Sequence, residues 1–171
     1  MPLRKILAAT TIATLPFAAL ADSDESRALV LEALEATLLA GNTDAVDQYF
    51  AEDYIQHNPD FPDGIEGQRA LVDFLANTPG FSAEYIRVIA DNDLVAIHAR
   101  YEGFGPTATI GFDVFRVEDG MIVEHWDNLI PEAPPNPSGR TQIDGATEIT
   151  DLDQTEANRA LVEDFLVRSM I

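Results

Sequence analysis

The hydrophobic period changes near residue 80, and this change constrains the chain more than any other feature. Before it, apolar residues recur every three or four positions; after it, they alternate. From Ser26 to Ala40, Leu29, Val30, Leu34 and Leu38 share one helical face, and Gly41-Asn42 is a stop signal. Asp44 to Phe50 reads as a short second helix with Thr43 as its N-cap. Glu66 to Ala76 reads as a third, closed by Asn77-Thr78-Pro79-Gly80, and a Pro/Asp/Gly-rich loop from His57 to Gly64 separates the two. Strands are then predicted over 82–90, 94–101, 107–117 and 121–129, with turns at Asp91-Asn92-Asp93 and Glu118-Asp119-Gly120. Helices followed by a run of antiparallel strands make an α+β domain, with the helices on one face of a curved sheet. After Pro131 to Gly139, which holds four prolines and no period, a C-terminal helix is expected over 155–171.

Composition narrows the function. The chain has 171 residues and a formal charge of −20, with 46% hydrophobic residues, enough for a core. A field this negative repels phosphate backbones and anionic lipids, so nucleic acid is excluded as a partner. Cysteine is absent, which removes disulfides, thiolate nucleophiles and cysteine-ligated metals. Arg4 and Lys5 precede an apolar run from Ile6 to Leu20 that ends in Ala19-Leu20-Ala21 before Asp22-Ser23-Asp24-Glu25, the layout of a signal peptide over 1–21. A retained anchor is the alternative, but the run is shorter than the roughly 20 residues of a span. The expectation is therefore export to the periplasm or beyond, cleavage near Ala21, and no stable membrane insertion afterwards. Lys5 is the only lysine, so the cleaved chain has no amine for Schiff-base chemistry. No Gly-rich phosphate loop is present either, and a function without cofactor is expected.

The candidate chemistry lies in the last hairpin. Side chains alternate along strands, so a three-residue loop would place Asp113, Phe115, Val117, Met121, Val123, His125 and Asp127 on one side. Two carboxylates and an imidazole then converge on an otherwise apolar surface, where burial can tune one group into a proton carrier. A solvent-facing hairpin end, on which the three are merely hydrated, stands beside that reading. The other side carries Ile110, Phe112, Val114, Ile122 and Trp126, a second apolar face suited to a homodimer. His57 sits in a loop with Tyr54, Gln56 and Asn58, where it either reaches over a pocket or bonds local backbone. His98 lies mid-strand, as a core or edge histidine or a pocket residue. The histidines lack a metal-ligand spacing, and no metal site is assigned. Arg-Ala-Leu-Val occurs at Arg27, Arg69 and Arg159, either as one amphipathic recipe used three times or as the beginning of a second domain copy.

Asp44 to Phe50, Tyr54-Ile55-Gln56-His57-Asn58-Pro59, Asp63-Gly64-Ile65-Glu66-Gly67, Phe112 to Arg116 and Gly120 to Asp127 resemble the SnoaL-like polyketide cyclase family of the nuclear-transport-factor-2-like superfamily. The resemblance implies a cone-shaped barrel over residues 22–131, with N-terminal helices wrapped on a strongly curved antiparallel sheet enclosing a pocket. Residues 132–154 would be an irregular extension. It also implies cofactor-free aldol, lyase or isomerase chemistry on a small apolar carbonyl compound. Asp127 would then be the acid and base, assisted by His125, Asp113 or His57, with Tyr54, His98, Phe115 and Met121 as candidate substrate-binding residues. The competing class is a non-catalytic protein that binds a small molecule in the same cone.

Overall fold

The computed structural model describes residues 22–170. The expected signal peptide lies outside them, and among the described residues no helix is long and apolar enough to cross a membrane. Helix α1 (Ser23–Leu34), capped by the Asp22 carboxylate, runs on through a π-helical stretch, Glu35–Leu39. A 3-10 turn (Thr43–Ala45) leads into the short α2 (Val46–Tyr49). Its cap is Asn42, one residue before the expected Thr43, because the Asn42 side chain reaches the Asp44 N–H at 3.1 Å. Then come β1 (Phe50–Gln56), α3 (Gly64–Ala76), β2 (Ser82–Asp91), β3 (Leu94–Glu102), β4 (Thr109–Glu118) and β5 (Met121–Pro131). After a long extension, α4 spans Thr155–Met170.

The five strands form one curved sheet in the order β1-β5-β4-β3-β2. It corrects the sequence reading at one segment. The segment expected to be a loop after α2 is strand β1, and it joins β5 in parallel while every other pairing is antiparallel. The sheet is also unclosed, since β1 pairs only with β5 and β2 only with β3.

The concave face holds the core. Val30, Ala33 and Leu34 of α1 and Val72 and Leu75 of α3 are buried with Val95, Ile97 and Ala99 of β3, Phe115 and Val117 of β4 and Ile122 of β5. Each large aliphatic among them contributes about 1.5–3 kcal/mol by leaving water. A β-bulge alters the hairpin's parity: Arg116 faces Glu124, whereas the next residue, Val117, faces Ile122, so Val123 is the extra residue. Ile122 therefore points into the core. Met121 and Val123, placed on the side of Asp113 and His125 by strict alternation, instead line a surface depression with Ala51, Asp53 and Ile55.

Beyond β5 the extension returns across the outer side of the sheet. Glu132 pairs with Arg100, and the Arg87 guanidinium donates to the carbonyls of Ile143, Asp144 and Ala146. Helix α4 is exposed along its length, and its Arg159 bonds Asp91 of β2 at 3.0 Å. The three Arg-Ala-Leu-Val copies thus lie on α1, α3 and α4, two buried against the sheet and one in solvent.

Gly67 marks the tightest approach in the helical layer. A Cβ there would stand 2.0 Å from the Pro62 carbonyl oxygen, in the loop that joins β1 to α3. Gly67→Ala should therefore lower unfolding stability by about 1–3 kcal/mol, the usual cost of overpacking, read as a shift of the urea midpoint at unchanged slope.

Candidate active site

The site forms where β1 meets β5. Gln56 is paired with His125 across the parallel ladder, and alternation along β1 and its continuation turns Tyr54, Gln56 and Asn58 inward, all three buried. Opposite them stand Asp113 of β4 and Asp127 of β5, directly paired in the antiparallel register. Asp63 fixes the loop between β1 and α3: one carboxylate oxygen accepts from Gly64 N–H as the N-cap of α3 and from Gln56 N–H at 2.7 Å. These two backbone donors hold the Asp63 carboxyl below the usual carboxylate range.

The inward polar groups form two connected sets. Asn58 Nδ2 bridges the Asp127 carboxylate, 2.8 Å from one oxygen and 2.7 Å from the other. Asp113 and His125, only 6% and 7% exposed, meet at 3.3 Å through Oδ1 and Nε2. Tyr101 O–H donates to the other Asp113 oxygen at 2.7 Å. The far ring nitrogen of His125 lies 3.0 Å from Gln56 Oε1, and Gln56 Nε2 donates to Tyr54 OH. The His125 ring stacks on Phe115, with centroids 4.5 Å apart. Gly111 makes room for this: a Cβ there would come within 2.9 Å of the Tyr101 ring and 3.2 Å of Asp113 Oδ2.

Apolar side chains close the space in front of these groups. Leu34, Leu38, Leu71, Leu75 and Leu129 form the walls, and Phe61, Phe81 and Phe104 complete the lining from loops. The cavity holds about 40 Å³, whereas pockets for drug-sized ligands run to about 300–1,000 Å³. A ligand of more than a few atoms enters only if side chains such as Phe61, Phe81 or Phe104 move.

Burial raises the Asp127 carboxyl above its ordinary value, against the Asn58 hydrogen bonds and the His125 charge, which favour the ionised form; nearby Asp113 and Asp60 raise it further. Burial, reinforced by the carboxylates, also pushes the Tyr54 and Tyr101 phenols far up, so both remain O–H groups at neutral pH. Asp113, His125 and Asp127 are, among the described residues, the group whose ligand atoms lie within 4.8 Å of one another, so any cation held here would compete with the proton chemistry for the same atoms.

The structure brings Asp127, His125, Asp113, Tyr54 and Phe115 together and leaves three other candidates outside. His57 faces outward because alternation along β1 places it opposite Gln56 and Asn58. It stacks on Trp126 at 5.0 Å and pairs with Glu124 at 2.9 Å. His98 stacks on Phe112 on the outer face of the sheet and meets Arg87 at 3.1 Å; burial and that guanidinium hold its imidazole below its ordinary pKa. Met121 is outside because of the bulge. Gln56, Asn58 and Tyr101 were not singled out from the sequence. Treating Tyr54 to Asn58 as a strand would have identified the first two by parity alone.

The raised Asp127 carboxyl has a consequence for stability. Ionising it costs the folded chain more than the unfolded one, a cost absent below about 3.8, the ordinary value, and complete once pH passes the folded value. Asp127→Asn should therefore gain stability over the parent as pH rises from about 4 to 7, seen as a urea-midpoint difference that grows with pH.

The residues that build this cavity fall mostly within a stretch, 30–125, that matches the SnoaL-like domain family, ending two residues before Asp127. None of the curated proteins matches the sequence at a significant level. Several solved structures share the fold. A Kribbella flavida protein assigned as a ketosteroid isomerase superposes with a TM-score of 0.57 at 18% identity, covering 78% of this chain and 100% of its own. A Mycobacterium tuberculosis epoxide hydrolase gives 0.52 at 24% identity, covering 63% and 84%. A Bacillus cereus protein assigned as a polyketide cyclase gives 0.53 at 21%, covering 61% and 74%. At these identities the likeness is one of fold. The sequence match spans more than half of the chain, and the chain belongs to the SnoaL-like domain family.

Proposed function

We propose that this chain is a cofactor-free enzyme that moves protons next to the carbonyl of a small, uncharged, largely apolar compound, in the class of aldol cyclisation, isomerisation or lyase steps. The observation that carries this reading is the Asp127 carboxyl, raised above its ordinary value by burial, lining an apolar cavity beside the His125–Asp113 contact. A carboxylate brought nearer to neutrality is a better general base than an ordinary one. The fold shared with an assigned isomerase and an assigned cyclase supports the class and adds no substrate.

Asp127 takes a proton from the carbon beside the carbonyl. The bonding pair becomes the carbon–carbon double bond, and the carbonyl π pair moves onto oxygen, which receives the proton shared by His125 and Asp113. Return of the Asp127 proton to another carbon of the enol, with the enol hydroxyl giving its proton back to the pair, yields an isomer. Attack of the enol carbon on a second carbonyl closes a ring: the enol hydroxyl gives its proton back to the pair, and the new alkoxide takes the proton held by Asp127. The Leu and Phe lining excludes water and strengthens these interactions.

Export after cleavage near Ala21 and a homodimer across the outer sheet face belong to the same proposal. The second is supported by Phe112 and Ile130, about half exposed on that face.

Uncharged cyclic and aromatic ketones incubated with the protein in deuterated water test the reading. The parent should catalyse deuterium uptake at the carbon next to the carbonyl, and Asp127→Asn should lose it while still binding the ketone. Uptake by Asp127→Asn at the parental rate overturns the role of Asp127. Binding with no exchange by either protein favours the non-catalytic class.

A further inference from the structure

Hydrogen bonds around Gln56 determine where the protons on His125 must sit. The Asn58 backbone N–H can only donate, and it meets Gln56 Oε1 at 2.9 Å. At the other end of the same amide, Gln56 Nε2 donates to Tyr54 OH at 3.1 Å. The amide orientation is therefore set from both sides, and Oε1 is an acceptor. His125 Nδ1 lies 3.0 Å from this oxygen. An oxygen that cannot donate requires the ring nitrogen to carry the hydrogen.

With Nδ1 protonated, the remaining ring nitrogen faces Asp113. His125 Nε2 and Asp113 Oδ1, 3.3 Å apart, need one proton between them. Tyr101 O–H donates to the other Asp113 oxygen, which leaves Oδ1 as the oxygen that shares this proton with the ring. The pair then holds a transferable proton beside Asp127 without adding net charge to the cavity.

We infer that Gln56 is a positioning residue, whose amide holds His125 as the Nδ1–H form so that the His125–Asp113 pair keeps one proton for the substrate oxygen. This inference rests on the acid/base reading above for its use, though not for its test. Gln56 itself is held by its N–H bond to Asp63 and by its pairing with His125 across the ladder. The N-cap of α3 thus reaches the imidazole through one side chain.

Long-range proton–nitrogen NMR on protein labelled at histidine nitrogen tests it, with the His125 signals identified by their loss in His125→Asn. In the parent, His125 Nδ1 should carry a proton throughout the pH range 5–8. In Gln56→Leu, which removes the acceptor, the Nδ1–H signal should be lost from most of the population, and the neutral ring should carry its hydrogen on Nε2. Gln56→Glu, which keeps an acceptor, should restore it. A parent ring without a proton on Nδ1, or a Gln56→Leu spectrum identical to the parent's, overturns the inference, and the parent measurement stands even if Gln56→Leu does not fold. Asp127→Asn serves as the separating control: it abolishes exchange if Asp127 is the base, and it should leave the Nδ1 proton in place.

Discussion

The parallel pairing of β1 with β5 is the contact on which the site depends. It sets Gln56 beside His125 and carries Asn58 to the Asp127 carboxylate, so one edge strand and its continuation supply a partner to each half of the buried polar cluster. Edge pairing of this kind is held by few hydrogen bonds. Here the Asp63 carboxylate reinforces it by joining the strand to the following helix. The site and the start of α3 are therefore parts of one local structure.

Buried polar groups are tolerated only when they are satisfied, and this cavity shows how that condition shapes chemistry. Asp113 receives a phenol hydrogen and faces an imidazole; the imidazole is in turn held by an amide fixed at both ends. Asp127 is treated differently. It has one amide across both oxygens and apolar walls around it, so its charge is less well compensated. Two carboxylates with oxygens within 4.8 Å of one another thus occupy unlike environments, the usual structural basis for dividing acid and base roles.

Much of this was legible from the residues. The change of period placed the helical and strand halves, and the alternation of β4 placed Asp113 and Phe115 on one side, which the buried positions of both identify as the inner one. Two physical effects hid the rest. Strand β1 carries Glu52 and Asp53, poor strand formers, and pairs at a sheet edge with a register shift after Phe50, so its alternation was masked by composition. Read as a loop, this segment leaves the side that His57 faces open and gives Asn58 no role. The bulge at Val123 breaks strict parity in β5, which is why Met121 lies outside while His125 and Asp127 remain inside. The setting of His98 could not be read from its strand, because its partner Arg87 is held by the extension 56 to 59 residues further along the chain, a long-range contact with no local signature.

The proposed chemistry depends on the proton affinity of the Asp127 carboxyl, which a carbon-detected NMR titration measures directly, with the signal assigned by its loss in Asp127→Asn. The midpoint should lie clearly above that of the chain's exposed aspartates and move higher still when Asn58→Leu removes the amide. A midpoint at or below that of the exposed aspartates would overturn the proposed role of Asp127.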